Sequence, residues 1–192
     1  LEKEIKHFDA MQIYNRELEK YINPFQRGWQ VRYYEALLGV HPQKKNNTNQ
    51  IAQISLNYLE GLEWTMHYYT THCVDWRWKY NYHYPPLFQD LAKVLEQKVL
   101  LQQNQYHSFF PTALPPSPVT PMVQLCYVLP KQSHHFLPLH CKEQLQKQAQ
   151  YNHWYEVDTE NGEFVWAYCQ YFWESHVHLP HIPLNELEDL VN

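Results

Sequence analysis

The sequence predicts a mainly α-helical fold, with a small β-hairpin near residues 155–168 and a proline-rich extended strap near 108–121. Three observations predict it. Apolar residues recur at three- and four-residue steps in several long windows, as on amphipathic helices. Period-two alternation is concentrated around Asn161-Gly162, a dipeptide that takes the positive φ angles of a tight hairpin turn. Five of the 13 prolines fall between Ser108 and Pro121, where they impose a polyproline-like path.

Taken in order, residues 2–21 set Ile5, Phe8, Ile13, Leu18 and Tyr21 among charges and predict a mostly polar helix, broken at Asn23-Pro24. Gly28 to Val40 predicts a short helix closed by Gly39, and Lys44 to Gln50 a polar loop. The strongest helix spans 50–72. Ile51, Ile54, Tyr58, Leu62, Met66 and Tyr69 form its stripe and Leu59 widens it, so Trp64 and Tyr69 are expected in a broadly buried element. From Cys73 to Pro86 the pattern gives way to aromatics and charges. Helix returns over 87–106, with Leu87, Leu91, Val94, Leu95 and Val99 on one face. After the strap come short helices at 122–129 and 140–150, the hairpin, and an amphipathic tail helix from Leu184 to Val191. A PxxP ligand is one reading of the strap. Its scattered apolar residues favour a strap lying on its own domain.

Composition narrows the function. The chain has 192 residues, a net charge of −5, 16 Tyr, 8 Phe, 7 Trp and four Gly. So few glycines argue against phosphate-cradling loops, and the acidic balance against a surface that binds nucleic acid mainly through its backbone. A local basic strip remains open. Cys73, Cys126, Cys141 and Cys169 lack CxxC spacing, which fits free thiols in a reducing, intracellular compartment. Asn46-Asn47-Thr48 matches a glycosylation sequon by chance in that setting. No run of about 18 apolar residues is present, so no membrane partner is expected. The opening at Leu1 suggests a piece of a longer protein.

Residues 58–90 are far less generic. In order they contain Tyr58-Leu-Glu60-Gly61-Leu-Glu-Trp64, Tyr68-Tyr69, Trp76-x-Trp78, Tyr82-His83-Tyr84-x-Pro86 and Asp90. Upstream stands Gly28-Trp29-x-x-Arg32-Tyr33-Tyr34. Downstream stand Gln124-Leu125-x-x-Val128-Leu129-Pro130-x-x-Ser133 and Leu137-Pro138, then Asn161-Gly162 with Trp166. This succession resembles the helical, carboxy-terminal part of the catalytic core of the Xrn family of 5′→3′ exoribonucleases. The likeness runs from about residue 28 to the end, with 1–27 matched loosely, and treats 1–192 as a single helical domain. The sequence also departs from the family's pattern. Asp75 stands where the family has a small residue, Pro85 where it has Ala, and Lys79 and Asn81 where it has aromatics. The composition, poor in Gly and rich in Asn, Gln, His and Tyr, resembles that of Xrn-like proteins of large DNA viruses.

The resemblance implies a division of labour. The family's metal-binding carboxylates, which hold Mg or Mn, and its 5′-phosphate pocket lie in the amino-terminal half of the core. This chain is therefore expected to carry no catalytic residue, no metal and no cofactor of its own. It would pack on that upstream nuclease half and wall a channel for single-stranded RNA. Trp76, Arg77, Trp78 and Lys79 are the channel candidates, a basic-aromatic strip suited to base stacking. Trp64, Tyr82, His83, Tyr84 and Asp90 are structural members of the motif. Trp76 and Trp78, two apart in an extended stretch, would share a face and could both point into the core. His83 is read as a hydrogen-bonded core histidine, since no nucleophile or acid accompanies it. His72-Cys73 and His140-Cys141 lack zinc spacing. A second reading belongs to another class: a decayed domain serving as a scaffold or protein-binding arm in a particle or transcription assembly. The acidic balance, the strap and the drifted motif point that way.

Overall fold

A computed structural model describes residues 12–42, 47–101, 108–110, 117–156, 164–177 and 179–191. The chain forms two compact units. The first comprises Leu1–Pro116 and Trp166–Ser175, the second Ser117–Val165 and His176–Asn192.

In the first unit, helices α1 (Glu17–Ile22), α2 (Trp29–Leu38), α3 (Asn47–Thr70) and α4 (Phe88–Leu101) pack in pairs, α1 on α2 and α3 on α4. Gly39 ends α2 at a φ of 64°, and its N–H returns to the Tyr34 carbonyl, the expected glycine stop. Arg32 finishes α1 from outside. Its Nε donates to the carbonyls of Tyr21 (2.8 Å) and Ile22 (3.1 Å), and its Nη1 to that of Arg27 (3.1 Å). Its Nη2 donates to Ile22 (2.9 Å), Asn23 (3.3 Å) and Gln26 (3.3 Å). Those acceptors include carbonyls that the last turn leaves without a helical partner.

Residues 12–19 run beside 166–171. Ile13 N–H donates to the Gln170 carbonyl, and Arg16 to that of Cys169. Glu19 accepts from Tyr168 N–H at 2.8 Å, where Tyr168 stands at a φ of 64°. The helix expected over 2–21 therefore begins only at Glu17 among the described residues. Residues 1–11 lie outside them.

The polar stretch expected to loop through 44–50 is helical from Asn47, because polar residues start a helix without contributing to its apolar stripe. The face expected to be buried on α3 is also corrected. Ile54 is buried, but Leu62, Met66 and Tyr69 are 54%, 65% and 81% exposed. The inward side instead carries Ser55 and Glu63, polar residues that a hydrophobic stripe does not register. Glu63 tolerates burial because its carboxylate accepts from Ser108 Oγ and from Phe109 N–H. The Lys98 ammonium stands 2.8 Å from the centroid of the Phe109 ring. The first residues of the strap thus lie on their own unit, and 111–116 fall outside the described residues. On α4, Leu91 and Val94 are buried while Leu95 is 46% exposed.

The second unit holds α5 (Pro121–Val128), a 3₁₀ turn (Lys131–Phe136), α6 (Leu139–Lys147), α7 (Tyr151–Tyr155) and α8 (Leu184–Val191). Pro121 opens α5 at its first position, where its missing N–H costs nothing. Val123, Cys126, Leu137, Cys141, Leu145, Trp154, Tyr155, Ile182 and Leu187 form one core cluster. Each fully buried Val, Leu or Ile there contributes about 1.5–3 kcal/mol. Helix α8 lies against α5 and α6, so Leu187 is wholly buried.

The small β element is antiparallel but pairs differently from the expected hairpin. Strand β1 (Phe164–Val165) joins β2 (His176–Val177), with Phe164 opposite Val177 and Val165 opposite His176. Tyr155, expected at the hairpin's start, closes α7 instead. The Asn161-Gly162 turn lies outside the described residues.

Candidate nucleic-acid interface

Residues 72–87 form no helix or strand, yet they are firmly placed. Tyrosine hydroxyls supply much of the order. Tyr33 donates to the Pro85 carbonyl (2.9 Å), Tyr80 to that of Tyr84 (2.8 Å), and buried Tyr84 to that of Ala167 (3.1 Å). Tyr34 donates to Asp90 Oδ2 (2.8 Å) and accepts from Leu87 N–H (3.0 Å). Lys93 bonds the other Asp90 oxygen at 3.0 Å. Each hydroxyl ties a buried or half-buried ring to the chain's irregular backbone or to Asp90. Burial raises the pKa of these tyrosines, that of Tyr33 to about 12.

The four channel candidates do not share one environment. Trp78 is half-buried and stacks on Trp64, with centroids 5.8 Å apart and planes 24° apart. Trp64 stacks in turn on Tyr68 at 5.1 Å and 9°. Trp78 Nε1 donates to Glu60 at 3.4 Å. Trp78 also lies over Gly61: a Cβ there would come within 2.6 Å of its ring. That explains a glycine inside a 24-residue helix.

Trp76, by contrast, is 54% exposed, so it is not the core residue that alternation suggested. The segment turns at Trp76-Arg77, and the two tryptophans part company there. The turn is held by Asp75. Its carbonyl accepts from Trp64 Nε1 and its Oδ1 from Arg77 N–H, both at 2.7 Å. Lys79 is exposed and Arg77 partly so. Asn57 Oδ1 accepts from Asn81 N–H at 3.0 Å and fixes the far side.

The remaining motif members divide similarly. Tyr84 is buried, Trp64, Tyr82 and Asp90 are half-buried, and His83 is exposed, which corrects its reading as a core histidine. Sequence reading missed Gly61, Asp75, Glu63 and Arg32 as organising residues. Gly61 offered a signal, an isolated glycine in a helical pattern. Arg32 was marked only as a motif member, and its bracing role was hidden because its partners are carbonyls. Among the described residues no group of three or more His, Cys, Asp or Glu could hold a metal ion, and no helix is long and apolar enough to cross a membrane. The four cysteines are free thiols.

Fold and site define a helical domain that presents an aromatic, basic turn from a rigid tyrosine-bonded frame. A profile of the Xrn1 helical domain matches residues 2–191, and the chain belongs to that family. It is 29% identical over 147 residues to 5′-3′ exoribonuclease 2 of Aspergillus oryzae, covering 74% of this chain and 13% of that protein. It is 31% identical over 126 residues to 5′-3′ exoribonuclease 1 of Saccharomyces cerevisiae, covering 66% and 7%. It is 35% identical over 112 residues to 5′-3′ exoribonuclease 2 of Arabidopsis thaliana, covering 58% and 10%. The chain thus spans about a tenth of the length of these relatives.

Proposed function

We propose that residues 1–192 are the non-catalytic helical domain of a 5′→3′ exoribonuclease, packed on an upstream nuclease half and walling its channel for single-stranded RNA. The observation that carries this reading is the exposed Trp76 on a braced turn, with Arg77 and Lys79 beside it and the Trp78–Trp64–Tyr68 stack behind. An exposed ring held in place stacks on any base at about 1–3 kcal/mol, without sequence preference. A neighbouring cation adds attraction to phosphate.

The divalent metal of the reaction belongs, on this reading, to carboxylates upstream. The described residues offer no set that fits it, and no step is assigned to this chain through it. Its work is to admit one strand and hold it. The compartment is an intracellular, reducing one, consistent with buried free thiols.

The test pairs thermal unfolding with binding of 5′-phosphorylated single-stranded RNA at two salt concentrations. Trp76→Ala should weaken binding with the melting temperature nearly unchanged. Trp78→Ala should lower the melting temperature, because it empties the space over Gly61. With Mg²⁺ or Mn²⁺ added, this chain alone should release no mononucleotides from the RNA. Negligible RNA binding by the unsubstituted chain would overturn the channel reading and leave a scaffold or protein-binding arm in its place.

A further inference from the structure

We infer that Asp75 is a positioning residue for the RNA contact, acting through Trp76; the inference rests on the channel reading above. The geometry separates two jobs within one residue. Asp75's backbone carbonyl takes the Trp64 indole N–H at 2.7 Å, which ties residue 75 to the face of α3. Its side-chain Oδ1 takes the Arg77 N–H at 2.7 Å, which closes a turn across Trp76. This is the local aspartate turn, in which the side chain substitutes for a backbone acceptor two residues back. Trp76 is the residue spanned by that bond, and it is 54% exposed.

The far side of the turn is fixed as well. Trp78 is wedged between Gly61 and the Trp64 ring, so the chain cannot slide along α3 to relax. With both ends pinned, the Asp75 side-chain bond fixes the path through Trp76 and so the direction of its ring. A glycine or alanine at this position would have no such acceptor, so the constraint comes from the Asp75 side chain itself. That side chain acts at an electrostatic cost, because a carboxylate beside the turn repels the phosphates of an approaching strand.

Two substitutions separate these effects, since both remove the charge and one keeps the acceptor. Asp75→Asn retains an Oδ1 in place, whereas Asp75→Ala leaves the Arg77 N–H to water. Binding of a short, 5′-phosphorylated, single-stranded oligouridylate to the full chain is measured by fluorescence anisotropy, alongside thermal unfolding. Asp75→Asn should bind as tightly as the unsubstituted chain or tighter. Asp75→Ala should bind roughly three- to tenfold more weakly than Asp75→Asn, the range expected for one net hydrogen bond. The same comparison in a Trp76→Ala background closes a double-mutant cycle, and there the difference should vanish. A purely structural role would lower the melting temperature of Asp75→Ala below that of Asp75→Asn without that coupling. Equal affinities for the Asn and Ala variants overturn the inference while leaving the channel reading intact. So does a difference that persists undiminished without Trp76. Absence of binding by the unsubstituted chain defeats the channel reading itself, and the inference with it.

Discussion

The two units solve the same problem with different materials. The first holds an irregular segment with rings and hydroxyls: Tyr33, Tyr34, Tyr80 and Tyr84 each bury an aromatic body and spend the phenol on a named partner. The second closes short helices over a mainly aliphatic and thiol core of Val123, Cys126, Leu137, Cys141, Leu145, Ile182 and Leu187, joined by Trp154 and by Tyr155, whose hydroxyl donates to the Cys126 carbonyl. Aliphatic packing is non-directional and needs regular backbone, whose polar groups already satisfy one another. A stretch such as 72–87 has no ladder, so its carbonyls need outside donors. Tyrosine supplies a donor on a rigid apolar arm. The difference teaches that hydroxyl-bonded tyrosines hold an irregular segment in place, and that a braced turn, rather than exposure alone, sets Trp76 apart from the many other exposed rings.

The comparison can be broken at its strongest point. Trp154, 2% exposed in the second core, should cost about 3–5 kcal/mol as Trp154→Ala, read as a lower melting temperature. In the first unit the corresponding blow removes one oxygen. Tyr34→Phe keeps the ring but deprives the Asp90 carboxylate and the Leu87 N–H of their shared partner, an expected loss of about 1–3 kcal/mol in denaturant unfolding. A phenylalanine tolerated there without loss would show the hydroxyls to be incidental.

Acidity sharpens the contrast. Buried His134 in the second unit lies 2.9 Å from the Tyr151 hydroxyl and 3.1 Å from the Leu129 carbonyl. A carbonyl can only accept, so Nε2 carries the proton and Nδ1 accepts from Tyr151. Burial holds the pKa of His134 below its ordinary 6.5, despite the Leu129 bond. Because the folded pKa is depressed, the unfolded chain binds the proton first. Stability is then complete above 6.5 and falls as the pH drops toward the folded pKa. The slope of melting temperature against pH in that window should shrink in His134→Gln. For the buried tyrosines of both units, Tyr155 of the second among them, the sign reverses. The buried tyrosines have pKa values raised above 10.0, so their contribution is intact below pH 10 and lost as the pH climbs beyond it. The smallest expected effect is Tyr69→Ala. At 81% exposure it should move stability by no more than about 0.5 kcal/mol, where the periodicity of α3 alone suggested a core aromatic.

That last residue marks how far the sequence could be read. Elements with their own punctuation were legible: α2 with Gly39 behind it, α5 with Pro121 in front, and the amphipathic α8. The aromatic motif was legible as a motif. Its internal division was not, because Trp76 and Trp78 differ through a turn set by Asp75, and alternation assumes a straight strand. The inward face of α3 escaped for a related reason. Its burial depends on Glu63 meeting Ser108 and Phe109, 45 and 46 residues away, and periodicity measures apolarity without knowing partners. The β1–β2 pairing likewise joins residues separated by the Trp166–Ser175 excursion, which no local turn signal encodes.

The contact between Gly61 and Trp78 bears on how this sequence is free to drift. Alanine at position 61 improves intrinsic helix propensity by about 1 kcal/mol, so mutation should repeatedly sample it. Its methyl would fall 2.6 Å from an indole that has Trp64 on another side, so the substitution can persist only if position 78 shrinks in the same lineage. The two positions, 17 apart in sequence, therefore inherit as a couple: descendants should keep both or exchange both. A homologue with a β-carbon at the first and a full indole at the second would have had to move the helix that carries the one or the irregular segment that carries the other.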